Sequence, residues 1–372
     1  MNKINGLIEN GSTLIRDRVS ASNEYHSEAY YPSEILADLA KADYFRQNNR
    51  SQNTLRMYKR YWKKFVSYCA GELAVNSTNF PVSHLPADPN VVAAFLAYLS
   101  RNLEFDNSLS KGKSLTPSNS TYNGVVAAIN YVHNQAGYLS PTTHIKVKET
   151  LRGLLRSPDR KLARNRKSAL VNPYLVKLIS YLDSIDQTLT TKRNRAILLL
   201  GRQGGFRRSE LASLKVNDLT FRPDALIVQL RFHKTSKDGS NAHTKVLPVG
   251  EEFSCVDAVA DWIESAKIES GHLFRSFKRT GDLKPYIELN DYPDDELPLK
   301  KNTGYLHGND IYRIVKKVIK DAGLTMPKQF GAHSLRSGLV TQMFIDNKQS
   351  AQIKKRSGHK TSAMLDEYNQ VE

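Results

Sequence analysis

Four short segments in the C-terminal half of this 372-residue chain hold side chains that could do chemistry together: GGFRRSEL (Gly204 to Leu211), a hairpin carrying Lys234, AHSLRSG (Ala332 to Gly338) and SGHKTSAMLDEY (Ser357 to Tyr368). Each has a bland reading alone. Arg207 would serve on a surface, His333 in a hydrogen-bonded core, and Tyr368 in docking a last helix. As a set they suit phosphoryl transfer. An arginine keeps its charge and donates two parallel hydrogen bonds to phosphate oxygens. A pentacoordinate phosphorus gains negative charge, so fixed donors aimed at its oxygens are the largest available stabilising effect. A tyrosine, with an unperturbed pKa of about 10, attacks well only beside cations and a proton acceptor. A departing alkoxide needs a proton, which a lysine can deliver.

Composition points to the class of substrate. The chain has 54 Lys and Arg against 37 Asp and Glu, a formal charge of +17, with 40% hydrophobic residues. That is enough apolar material for a core, so the charge belongs to a folded protein whose counter-ion is a polyanion, with nucleic acid the first candidate. Two cysteines, Cys69 and Cys255, can form neither a disulfide framework nor a four-thiolate zinc site. No signal-length apolar segment opens the chain, and the run from Val91 to Leu99 is too short to span a bilayer. A cytoplasmic protein with no membrane partner is expected. There is no H-E-x-x-H, C-x-x-C or P-loop. The acidic stretch Asp291 to Glu296 could in principle hold Mg²⁺, but consecutive carboxylates on a proline-containing loop are more often solvated.

The spacing of the four segments resembles the tyrosine recombinase (phage integrase) family. Arg207 is followed by Glu210 and Leu211 in a G-x-R-x-x-E-L helix start, and Lys234 lies 27 residues on. His333 and Arg336 form H-x-x-R, His359 follows Gly358, and Tyr368 comes nine residues after His359. The resemblance implies catalytic roles for Arg207, Lys234, His333, Arg336, His359 and Tyr368. Arg207 and Arg336 would clamp the scissile phosphate, and His333 would accept the tyrosine proton. Lys234 would protonate the leaving oxygen, with Lys237 the runner-up. His359 would hydrogen-bond the phosphate, and Glu210 would orient the site from behind. Arg208 adjoins the clamp, but the motif's register selects Arg207.

These residues need elements to hold them. Residues 1–45 are polar and weakly periodic, an expected partly ordered arm. Residues 46–155 read as a helical DNA-binding domain similar to the family's core-binding domain, with a layout closest to Cre-type members. Its first helix places Leu55, Tyr58, Trp62, Phe65, Val66 and Cys69 on one face and Arg56, Lys59, Arg60, Lys63 and Lys64 on the other. Further helices start at Asp88-Pro89 and after Thr116-Pro117, and a fourth covers Ile145 to Leu155. Residues 156–170 read as a basic linker in which Arg156, Arg160, Lys161, Arg164, Arg166 and Lys167 face phosphates. Residues 171–372 read as the catalytic domain, with helices from Asn172-Pro173, Thr190, Cys255 and Asn309. Its one β signal is a hairpin, Ala225 to Phe232 returning over His243 to Val249. The expected fold class is mainly α: an all-helical N-terminal domain, and a mostly helical catalytic domain with a small antiparallel sheet.

The family resemblance implies a site-specific recombinase of double-stranded DNA. It would act on an inverted-repeat site as a homotetramer, one dimer per site, through a 3′-phosphotyrosine and a Holliday junction. Neither cofactor nor ATP is implied, since the bond energy is stored in the phosphotyrosine, and nucleoid association would follow from DNA binding. Rival readings are a type IB topoisomerase-like enzyme, a non-catalytic DNA-binding protein of the same fold, and a metal-dependent nuclease. Only four residues follow Tyr368, where Cre-type members carry a helix that docks into the neighbouring subunit; either the chain has been shortened or its protomer contacts are made elsewhere.

Overall fold

A computed structural model describes residues 38, 41–42, 50–72, 81–101, 117–157, 167–230, 243–250, 252–286, 304–325, 327–359, 361, 365 and 368. The chain divides into two compact units, Met1–Arg164 and Asn165–Glu372.

Four helices build the described part of the first unit: α1 (Gln52–Cys69), α2 (Pro89–Leu99), α3 (Asn119–Gln135) and α4 (Ile145–Arg156). Their starts follow from capping chemistry. Ser51 and Ser118 accept from the amides of Thr54 and Thr121, and Asp88 accepts from Asn90 ahead of Pro89 in the first turn. The core brings Tyr58, Trp62 and Phe65 of α1 together with Phe95 and Leu96 of α2 and Tyr122, Val125 and Ile129 of α3. His133 is a satisfied core histidine, with Nδ1 donating to Ile129 O at 2.8 Å and Nε2 accepting from the amide of Ala87 at 3.0 Å. Arg56, Lys59, Arg60 and Lys63 lie exposed on the opposite face of α1, and Lys64 is half-buried.

The second unit starts with α5 (Asn172–Ser184) and α6 (Leu189–Gln203), then the six-residue α7 (Arg208–Ser213). Helix α6 is buried over Ala196 to Leu200 and lies between α8 (Val256–Ser265) and α10 (His333–Ile345). It runs to Gln203 through Gly201, where a methyl group would meet Leu335 and Leu211 at 2.9 and 3.1 Å, so this glycine serves close packing. Helix α9 (Gly308–Asp321) and helix α11 (Ser350–Ser357) complete the described helices. Between α7 and α8 lies an antiparallel sheet in the order β1 (Leu219–Phe221), β2 (Ala225–Leu230), β3 (His243–Pro248).

The expected hairpin is β2 and β3, in register Leu226 to Leu247 and Val228 to Lys245. Strand β1 was not expected. At three residues, with burial falling from half-buried to exposed, it is too short for alternation to show. The hairpin tip with Lys234 and Lys237 lies outside the described residues, as do Arg160, Lys161, Arg164, Arg166 and the acidic stretch 291–296. No described helix is long and apolar enough to cross a membrane, and no described group of His, Cys, Asp and Glu could hold a metal ion.

Candidate active site

The site is assembled from the ends of short elements packed on α6. After α6 the chain turns at Gly204 and Gly205. Gly205 has φ +57°, and a methyl group there would lie 2.7 Å from Leu339 of α10, so both the turn and its closeness to α10 need glycine. Phe206 is buried completely and locks the turn to the core. The next residue, Arg207, is the N-cap of α7. Its amide donates to Glu210 Oε2 at 2.8 Å and its guanidinium to Oε1 at 2.6 Å. Burial would raise the Glu210 pKa, but the two bonds from Arg207 and the charges of Arg207 and Arg336 outweigh it and hold the carboxyl below its usual range. Arg208, one residue on, lies against the start of α9, where its side chain is 3.5 Å from the place of a Gly308 Cβ.

Helix α10 brings in the H-x-x-R pair. Arg336 is only 2% exposed, and its Nη1 donates to Gly205 O at 2.7 Å. Its Nη2 is buried without a hydrogen-bond partner among the described residues. Burial, followed by repulsion from Arg207, lowers its pKa to about 10, so it stays charged at neutral pH. Helix α10 can sit this deep because Gly338 lets Leu170 pass: a Cβ there would be 2.2 Å from Leu170 O, while the Leu170 amide donates to Ser334 O at 2.9 Å.

His333 stands at the mouth of the site with Nε2 3.3 Å from Tyr368 Oη. Its ring keeps an exposed face. Partial burial, then the charges of Arg336 and Arg207, hold its pKa below the ordinary value, so the neutral ring is available to accept a proton. Tyr368 reaches this place because Leu365, 1% exposed, is fixed in a small cluster with Val340 of α10 and Ile353 of α11, against which the tyrosine also packs. The His359 ring lies 5.7 Å from the Tyr368 ring, centroid to centroid.

His359 is aimed by the end of α11, where Gly358 takes the left-handed conformation with φ +72°. Ser357 Oγ donates its one proton to Ile353 O at 2.6 Å, so it must accept from His359 Nδ1, 2.7 Å away. This fixes the tautomer: Nδ1 carries the proton and Nε2 is bare. Burial, then the charges of Arg336, Arg207, His333 and Lys245, push the His359 pKa down to about 4. We expect ¹⁵N resonances of His359 at pH 7 to show the Nδ1–H form alone, and Ser357→Ala to admit the Nε2–H form. A wild-type ring carrying its proton on Nε2 would refute the assignment.

Five of the six residues singled out as catalytic, Arg207, His333, Arg336, His359 and Tyr368, thus gather around one spot with Glu210 behind them; Lys234 lies outside the described residues. One buried charge beside them was missed: Lys245 of β3, 5% exposed. Its signal was parity, because it shares the inward face of β3 with the fully buried Leu247 while Val246 between them is 59% exposed. Arg156 ends α4, and Lys167 donates to Lys328 O at 2.6 Å.

A mostly helical fold with a three-stranded antiparallel sheet thus gathers two arginines, two histidines and a tyrosine around one spot. The model of the Phage integrase family matches residues 175–372, more than half of the chain, and the chain belongs to that family, the tyrosine recombinases. It is 25% identical over 329 residues, 87% of this chain and 82% of the relative, to an integrase/recombinase xerD homolog of Selenomonas ruminantium. It is 23% identical to the tyrosine recombinase XerA of Pyrococcus horikoshii, over 91% of this chain and 90% of the relative. Among solved structures the fold is similar to XerH site-specific recombinase bound to its difH substrate in a pre-cleavage complex, with TM-score 0.53 and 17% identity over 87% of this chain and 77% of that one. It is also similar to a lambda integrase dimer bound to a COC′ core site, with TM-score 0.52 and 14% identity over 96% of this chain and 85% of that one.

Proposed function

We propose that this recombinase cuts and rejoins double-stranded DNA through a covalent bond from Tyr368 to the 3′ phosphate. The observation that carries the reading is the pairing of a nucleophile with its acceptor, Tyr368 Oη to His333 Nε2 at 3.3 Å, beside the buried Arg336 whose Nη2 has no described partner. A buried donor of this kind costs free energy until it is bonded, and a non-bridging phosphate oxygen would satisfy it. Arg336 and Arg207 hold the phosphate. Tyr368 Oη bonds to phosphorus, its proton passes to His333, and the P–O5′ bond breaks. The departing 5′ oxygen takes a proton from Lys234, the hairpin lysine, and leaves as a hydroxyl. The 5′-hydroxyl of a second strand then attacks the phosphotyrosine, giving its proton to Lys234, and the phosphorus–Tyr368 bond breaks as His333 returns its proton to Tyr368 Oη. Since one bond replaces another of the same kind, ATP and metal are not consumed or required.

His359 adds a refinement. With Nε2 bare it accepts a hydrogen bond; to donate one to phosphate it must first bind a proton, which an arriving phosphate's charge favours. The exchange runs through a Holliday junction in a tetramer, two subunits on each inverted-repeat site. The xerD- and XerA-like relatives, and the DNA-bound XerH and lambda integrase folds, support DNA as the partner.

To test this, the protein is incubated with sheared genomic DNA of its source. DNA that stays attached under denaturing conditions is recovered and sequenced. One recurrent sequence linked to Tyr368 by its 3′ phosphate is expected; relaxation of supercoils without exchange between two such sites would refute recombination. The cationic residues outside the site, Arg56, Lys59, Arg60, Lys63 and Lys64 on α1 and the 156–167 stretch, hold the duplex through its phosphates. Replacing Arg160, Lys161 and Arg164 by alanine is expected to reduce the slope of log affinity against log salt by about 3 at most. An unchanged slope would detach the linker from the DNA.

A further inference from the structure

Lys245 lies beside the gathered site residues, and two backbone carbonyls hold its ammonium. Nζ donates to Gly204 O and to Arg356 O, each at 2.6 Å, and stands 5.2 Å from the centre of the Phe206 ring. The two carbonyls are placed alike: Gly204 is three residues before Arg207, and Arg356 is three residues before His359. The neighbouring carbonyl, Gly205 O, is taken by Arg336. We infer that Lys245 is a positioning residue for strand cleavage, tying the turn that presents Arg207 to the helix end that presents His359, so that both address one phosphate. The inference rests on the proposed phosphotyrosyl reaction and deepens it.

Two features separate this from an ordinary core contact. A methionine would fill the same space at less desolvation cost, so packing does not explain an ammonium here. The charged groups acting on it come from three helices around the site: Arg336 on α10, Glu210 and Arg207 at α7, and Arg356 on α11. Burial first, then the repulsion of Arg336, lowers its pKa to about 7, with Glu210 pulling the other way.

The test uses the full chain and the DNA duplex recovered as adduct with Tyr368. Lys245→Met is compared with Lys245→Arg, which keeps the charge and several donors. At saturating duplex the methionine variant is expected to form adduct about tenfold or more slowly, with its DNA dissociation constant within about threefold of wild type. The arginine variant is expected to return to within about threefold of the wild-type rate. If the methionine variant does not fold, Lys245→Gln is read against the same thresholds. At subsaturating duplex the wild-type rate is expected to fall above about pH 7 as the ammonium loses its proton, a limb the neutral variants lack. A neutral variant that cleaves within about twofold of wild type, or an arginine variant as slow as the methionine one, overturns the inference. Absence of any wild-type adduct instead refutes the reading of the site, and the inference with it.

Discussion

Tyr368→Phe is expected to abolish the covalent protein–DNA adduct while DNA binding persists. The substitution removes one oxygen atom and leaves the ring on its cluster of Val340, Ile353 and Leu365, beside His359. The hydrogen bond lost with His333 is a long one, 3.3 Å, at the exposed mouth of the site, so folding should change by about 1 kcal/mol or less. Chemistry, in contrast, loses its nucleophile, and a fall on the order of 10⁴-fold or more is expected. A denaturing gel with end-labelled duplex reads the adduct, and a native gel reads binding. Residual adduct near the wild-type level would show that another residue attacks.

Arg336→Ala is the second large effect. Its guanidinium is buried, its Nη1 holds Gly205 O, and its Nη2 supplies the donor that a phosphate oxygen would take. Removing one donor from a charge-stabilising site costs about 10²–10³ in rate. Because Nη1 also pins the turn before Arg207, the upper end of that range or beyond is expected in single-turnover cleavage. Binding should be nearly intact, since on the proposed function the duplex is held by many surface cations and only one charge is lost. Arg336→Lys should recover little, because an ammonium cannot reach both Gly205 O and a phosphate oxygen from one planar fork. The same alanine variant should raise the pKa of His359 from about 4, because it deletes a charge that opposes protonation there. NMR titration of the free protein checks the sign: an unmoved or lowered value would mean the two groups do not share a site.

The sequence disclosed much of this because chemistry at the site is bound to local motifs. The start of α7 could be read from Arg207 and Glu210, whose three-residue spacing lets the Glu210 carboxylate accept from the Arg207 amide as well as pair with its guanidinium. Helices α2 and α5 could be read from Asp88-Pro89 and Asn172-Pro173, where a polar residue and a proline declare a first turn. What stayed hidden depends on contacts distant in sequence. Parity with Leu247 could have put Lys245 on the inward face of β3, but nothing local names its partners, Gly204 and Arg356, 41 and 111 residues away. Ser357 reads as a helix-end serine until its bond to Ile353 decides where the His359 proton lies. Gly338 reads as part of a motif until Leu170 is found pressed against it.

That last contact decides where the protein can be taken apart and recombined with others. The amide of Ser168 donates to Gln329 O and that of Leu170 to Ser334 O, and Leu170 O accepts from Arg202, so residues 168–170 are tied to α6, to α10 with its H-x-x-R pair, and to the segment before α10. A chimera given a different N-terminal unit is expected to keep its cutting machinery only if the junction falls before Lys167. A junction three or four residues later, although still outside any helix, would import a foreign backbone into the one place where residue 338 has no room for it.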